Sequence, residues 1–224
     1  MSASDKKKLE KYVDDYVKHI IDFQLYGDRF CKEVIKLKQE SLEVIFEILS
    51  SYDAFTTKTL CNKARYEVGL ELDRLAERIT DHIITKVAHV AQRENLWATT
   101  KLSEFLEVEL EVSDKDANKL LDIPIAYAGV VKDFGENVVN KYRSLFYDAI
   151  AASYITGMTV KDLDSSFTGR LNAIDRGLEA EAKTMGSSLG TSYDRIIYTR
   201  NSKVIKGYIW SSILDSHTCL VCGE

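Results

Sequence analysis

Proline occurs once in the 224 residues, as Pro124, and only Gly27 and Gly69 precede Gly129 among the glycines. So few helix breakers, with an excess of Lys, Glu, Leu and Ala, exclude a turn-rich sheet protein and predict a mainly α fold. Long apolar runs are missing too. No stretch reaches the roughly 18 uninterrupted apolar residues of a membrane span, and the first twenty residues are charged with no apolar segment, so neither a membrane span nor a signal peptide is expected. Charge of a single sign is also lacking. The formal net charge is −5 with both signs interspersed, and no Lys/Arg run is longer than Lys6-Lys7-Lys8, which argues against strong autonomous binding to nucleic acid. Cysteine is sparse. Cys31 and Cys61 fall within helical patterns, where a free thiol behaves as a small buried hydrophobe, and no disulfide framework is evident, so a reducing compartment is expected. Walker A, G-x-G-x-x-G and H-E-x-x-H motifs are absent.

What is present is helical periodicity. Val13, Tyr16, Val17, Ile20 and Ile21 make one face of a first helix, expected to fail near Tyr26-Gly27-Asp28. Phe30, Val34, Ile35, Leu42, Ile45, Phe46 and Leu49 make a second stripe, and Ser51 or Asp53 offers an N-cap for the next helix. Leu60, Ala64, Val68, Leu72, Leu75, Ile79, Ile83, Val87 and Val90 step by four or three throughout. That spacing predicts a long amphipathic helix with one apolar seam, its other side carrying Lys63, Glu67, Arg74, Glu77, Arg78 and Asp81.

After a bend near Asn95, Leu102, Phe105, Leu106 and Leu110 are expected to continue the helical body, and residues 111–125 form a polar break. Residues 125–154 read as helical again, with Val138, Val139, Tyr142, Leu145, Phe146, Ala149 and Ile150 on one side and Gly157 placed to end the helix. Thr159-Val-Lys-Asp162 resembles a capping box, and a further helix is expected over 171–189, stopping near Gly190. Ile196-Ile197-Tyr198 and Tyr208-Ile209-Trp210 read as two short strands of a hairpin. The organisation expected is an elongated helical N-terminal region, 1–122, followed by a smaller α+β C-terminal domain, 123–224.

The chemistry-bearing candidates are few. His82 and His89, seven apart on one predicted helix, lack a companion ligand at metal spacing in the sequence. Glu104, Glu107, Glu109 and Glu111 read as a solvated acidic run. The remaining candidate is Asp215-Ser-His-Thr-Cys-Leu-Val-Cys-Gly-Glu224. A Cys-x-x-Cys turn aims two thiolates at one point and forms half of many tetrahedral zinc sites. A thioredoxin-type role needs the motif to open a helix after a strand, and only Gly223 and Glu224 come after it. His217 is a possible third ligand, while the Asp215 carboxylate suits capping of the turn.

The stretch Gly207-Tyr-Ile-Trp-Ser-Ser-Ile-Leu-Asp-Ser-His-Thr-Cys-Leu-Val-Cys-Gly223 resembles the signature of the phage minor head protein family, the head-morphogenesis proteins similar to protein F of phage Mu. Trp210, Leu214, Asp215, Thr218, Cys219 and Cys222 occupy that family's pattern, in which a tryptophan-bearing strand leads into a Leu-Asp-x-x-Thr-Cys-x-x-Cys turn. His217 stands where the family usually has arginine. Gly157-Met-Thr159 and the helix around Arg176 match more loosely.

The resemblance implies a minor structural protein of a tailed-phage head, without an active site, located in the virion at the head interior or portal vertex. Its implied partners are the portal and other head proteins, with contact to packaged DNA also open. Zinc, held by Cys219 and Cys222 with ligands supplied from elsewhere, would make Cys219-Leu-Val-Cys222 the front half of a knuckle. The alternatives are a nucleic-acid-associated internal virion protein, or an enzyme domain fused to the head-protein segment.

Overall fold

The computed structural model describes residues 3–52, 55–125, 129–157 and 160–205, and these are mainly α-helical. Helix α1 spans Ala3–Ser50 and α2 spans Lys58–Trp97. A π-helical stretch, Ala98–Leu102, leads into the single turn α3, Ser103–Leu106. A 3-10 segment, Asp114–Asp122, precedes a small antiparallel pair, β1 (Pro124–Ile125) and β2 (Gly129–Val130), in the register Pro124 to Val130 and Ile125 to Gly129. Helix α4 then spans Phe134–Thr156 and α5 spans Val160–Arg200.

The four long helices form an antiparallel bundle in which α1 lies between α2 and α5, and α4 closes the ring. Side-chain pairs along each seam fix the directions. Asp22–Arg93 and Ser41–Glu71 run antiparallel between α1 and α2, and Tyr52, just after α1, donates to Glu67 of α2. Lys38–Asp175 and Lys183–Asp28 do the same between α1 and α5, as do Lys141–Glu181 and Arg170–Asp148 between α4 and α5. Helix α4 is shorter than its neighbours, and beyond its reach the 3-10 segment packs against α2 and α5, where Leu120 is fully buried.

The α2 seam is realised almost position by position. Ala64, Val68, Leu72, Leu75, Ile79 and Ile83 are all 0% exposed, and Val87 and Val90 are buried with them. Full burial of each Leu, Ile or Val side chain stabilises by about 1.5–3 kcal/mol, which explains why one stripe organises the bundle. In the second stripe of α1 Phe30, Val34, Leu42, Ile45 and Leu49 are buried while Ile35 and Phe46 are half-buried, and the expected face of α4 is buried from Val138 to Ile150. Gly157 ends α4 in the left-handed conformation, φ 70°, its N–H bonded to the Ser153 carbonyl. Residues on both sides of position 122 line the same core.

Several local expectations are corrected. Helix α1 does not fail at Tyr26-Gly27-Asp28, because Gly27 is where α5 crosses: a Cβ built on Gly186 would fall 2.5 Å from the Gly27 Cα. Helix α2 is capped by Thr57, whose hydroxyl accepts from the Leu60 N–H at 3.3 Å, rather than by Ser51; Asp53 lies outside the described residues. The helical body ends at Leu106, since Glu107 turns left-handed at φ 56°, and Leu110 is buried from a non-helical segment. Ile125 and residues 129–133 are not part of α4, which begins at Phe134 after β2 and a 3-10 turn.

The last expected helix is far longer than 171–189. Gly190 does not stop it, and Ile196-Ile197-Tyr198 runs into its last turn and is not a strand. Leu178, Ala182, Met185, Leu189, Tyr193 and Ile197 form one continuous buried stripe at steps of four and three, and burying it outweighs the local β preference of Ile-Ile-Tyr. The expected partner strand at 208–210 lies outside the described residues.

Candidate functional site

Trp210, Leu214, Asp215, Thr218, Cys219 and Cys222 lie outside the described residues, as does His217. What the structure does describe is the end of α5, which precedes that segment in the chain. The end of α5 is clamped by Asn201, whose amide nitrogen donates to the Glu111 carbonyl at 2.8 Å while its oxygen accepts the Glu111 N–H at 2.7 Å. Arg200 pairs with the buried Asp116. The Tyr193 hydroxyl lies 3.1 Å from the Asn95 oxygen and 3.0 Å from the Ser113 carbonyl. These bonds tie the C-terminal turns of α5 to Asn95 of α2 and to the segment after α3.

Two turns before Asn201, a largely buried polar cluster joins α1, α2 and α5. His19 Nε2 lies 2.9 Å from Glu94 Oε2, and the two residues are 7% and 0% exposed. The His19 ring stacks on Trp97 with centroids 4.2 Å apart and planes 7° from parallel. Tyr12 stacks on Phe105 at 4.1 Å and Tyr16 on Tyr12 at 6.1 Å. The carboxyl group of Asp194, a half-buried residue of α5, stands beside Glu94. Two carboxylates carry no donor between them, so this contact is a hydrogen bond only when the pair holds a proton. Glu94 Oε1 accordingly receives no bond from any protein N–H or hydroxyl.

The electrostatics agree with a shared proton. Burial pushes the Glu94 carboxyl up to about 7, and burial together with the Glu94 charge raises Asp194 well above the usual carboxylate range. Burial lowers His19, so the imidazole is favoured neutral. The Tyr12 hydroxyl is pushed up to about 12, also by burial, and Tyr16 and Tyr198 are raised for the same reason.

Elsewhere the candidates resolve into packing. His82, half-buried, has Nε2 2.9 Å from Glu33 Oε2 and its ring beside Phe30, whereas His89 is exposed. Two of the acidic-run residues, Glu104 and Glu107, pair with Lys11 and Lys8 of α1. Cys31 and Cys61 are free and buried, as expected. Lys38 is buried against Asp175, which also accepts from Tyr142 at 2.6 Å. Gly186-Ser187-Ser188-Leu189-Gly190 matches the G-x-S-x-G spacing of a hydrolase nucleophile elbow, but it runs through the middle of α5, not through a strand-to-helix turn, and Gly186 serves the crossing with α1. Among the described residues no group of three His, Cys, Asp or Glu side chains is arranged to hold a metal ion, and no helix is long and apolar enough to cross a membrane.

The polar cluster was not among the sequence candidates, yet it left a signal. Glu94 comes four residues after Val90 on the seam of α2, and Lys38 stands between Val34 and Leu42 on the stripe of α1. A charged residue at a position where the periodicity demands an apolar one marks a buried ionic contact. Compared with known proteins, the chain matches no family model, no curated protein and no solved structure.

Proposed function

We propose that this chain is a minor structural protein of a tailed-phage head, acting in head morphogenesis by binding the portal vertex and other capsid components in the virion. The observation that carries the reading is the signature Trp210-x3-Leu214-Asp215-x2-Thr218-Cys219-x2-Cys222. The described helices are compatible with an assembly role. Leu9, Val13, Ile21 and Leu25 are 39–51% exposed along the first half of α1, apolar area suited to a partner helix. In the polar cluster His19 and Glu94 are buried between α1 and α2, a placement that suits holding the bundle together.

In this reading Cys219 and Cys222 supply two thiolate ligands to zinc, completed from another chain or segment. The test is native mass spectrometry of the chain mixed with the portal ring of its own phage. Discrete complexes of defined stoichiometry are expected, with zinc retained and lost on Cys219→Ser. A chain that stays monomeric beside intact portal rings overturns the assignment.

A further inference from the structure

The two ends of α1 are held in different ways. From Phe30 to Leu49 the helix buries Phe30, Val34, Leu42, Ile45 and Leu49 in the core. From Ser4 to Lys18 no residue is buried. Three charge pairs instead join this stretch to the segment from Lys101 to Glu107, in one antiparallel register: Lys8 with Glu107, Lys11 with Glu104 at 3.7 Å, and Asp15 with Lys101 at 3.5 Å. The signs alternate to match. A slip of one turn in either direction would set Lys11 against Lys101 or Asp15 against Glu104, so the pairs select the register by repulsion as well as attraction. Between them Tyr12 stacks on Phe105 with centroids 4.1 Å apart, and Tyr16 approaches Trp97 at 6.4 Å.

We propose that residues 4–18 of α1 are an electrostatic strap, docked on the segment from Lys101 to Glu107 by these three pairs and released independently of the core when the pairs are screened, baring Phe105. Lys11 and Glu104 are 66% and 64% exposed, and the other two pairs also reach solvent. The Debye length shortens from about 30 Å at 0.01 M salt to about 3 Å at 1 M, close to the separation of the charges. One exposed pair shifts an equilibrium by about fivefold at most, and three acting on one short helical stretch reach on the order of tenfold.

His19 sets the inner end of the strap. It is the first buried residue of α1, and its contact with Glu94 at 2.9 Å is enclosed, where dissolved ions do not screen it. Beyond it the helix is held by its buried stripe from Phe30 onward, so opening stops short of the core.

The experiment is amide hydrogen exchange by mass spectrometry on the full chain at one pH, in about 0.01 M, 0.15 M and 1 M sodium chloride, corrected for intrinsic exchange in each salt. Peptides from residues 4–18 are expected to lose protection on the order of tenfold between the lowest and highest salt, while those from 30–49 and from α4 hold theirs. Lys11→Glu and Glu104→Lys each set like charges face to face at an exposed position, and each is expected to lower protection of 4–18 severalfold at low salt. The double variant restores the pair with its signs exchanged, and is expected to recover most of that protection. Protection of 4–18 that does not change with salt, or a loss shared by all helices, overturns the strap. So does a double variant no better protected than the single ones.

Discussion

Gly186 of α5 and Gly27 of α1 meet backbone to backbone: a Cβ on Gly186 would lie 2.5 Å from the Gly27 Cα and 3.3 Å from its nitrogen. Neither glycine ends its helix; together they let two helices of 41 and 48 residues touch at a point where any side chain would hold them apart.

Gly186→Ala is expected to destabilise despite the higher helix propensity of alanine. The obstructing atoms are backbone and move only with the whole helix, so overpacking should cost about 1–3 kcal/mol and outweigh the propensity gain of about 1 kcal/mol. Urea unfolding monitored by far-UV circular dichroism checks this, and a variant more stable than the parent would contradict the crossing.

Neighbouring isoleucines on α2 should behave oppositely. Ile83 is 0% exposed on the seam, whereas Ile84 is 48% exposed. Ile83→Ala is expected to cost about 2–5 kcal/mol, and Ile84→Ala to fall within about 0.5 kcal/mol of the parent. Thermal denaturation of the pair tests the orientation of α2 without reference to any partner.

The pH dependence of stability originates in the polar cluster. Glu94 is raised from 4.5 to about 7 in the fold, so the folded chain retains a proton that the unfolded chain releases. Its contribution is fully present below the unfolded value and is lost as pH rises through about 7; Asp194 acts in the same direction. His19, lowered from 6.5, works oppositely, because the unfolded chain takes up its proton first as pH falls. Above about 6.5 only the carboxyl pair operates. Stability should decline there by somewhat under about 1 kcal/mol on account of Glu94, and the decline should flatten in Glu94→Gln. Urea midpoints measured across that range decide it.

Gly157 should resist substitution by conformation alone. Nothing lies within 4 Å of a Cβ built there, yet its φ is 70°. Gly157→Ala is expected to cost about 1–2 kcal/mol, and Gly157→Asn less, since asparagine tolerates the left-handed region better. Equal losses in the two variants, measured by denaturant unfolding, would point to a packing cost that the open space does not predict.

The α2 seam, the stripe from Phe30 to Leu49, the buried face of α4 and the stop at Gly157 were all legible in the sequence, because each rests on a local cause: a repeat near 3.6 that has one way to be buried, or a backbone angle that favours glycine. Gly27, Gly190 and Ile196-Ile197-Tyr198 were misread for the converse reason. Their local preferences favour breaks and strands, and only the proximity of α1 to α5, with the buried stripe from Leu178 to Ile197, makes continuous helix the lower free energy. The joining of His19, Glu94 and Asp194, residues from three helices and up to 175 positions apart in the chain, belongs to the tertiary structure alone. Periodicity marks Glu94 as misplaced on its seam, but which groups satisfy a buried charge is set by how helices pack, and no local spacing encodes that.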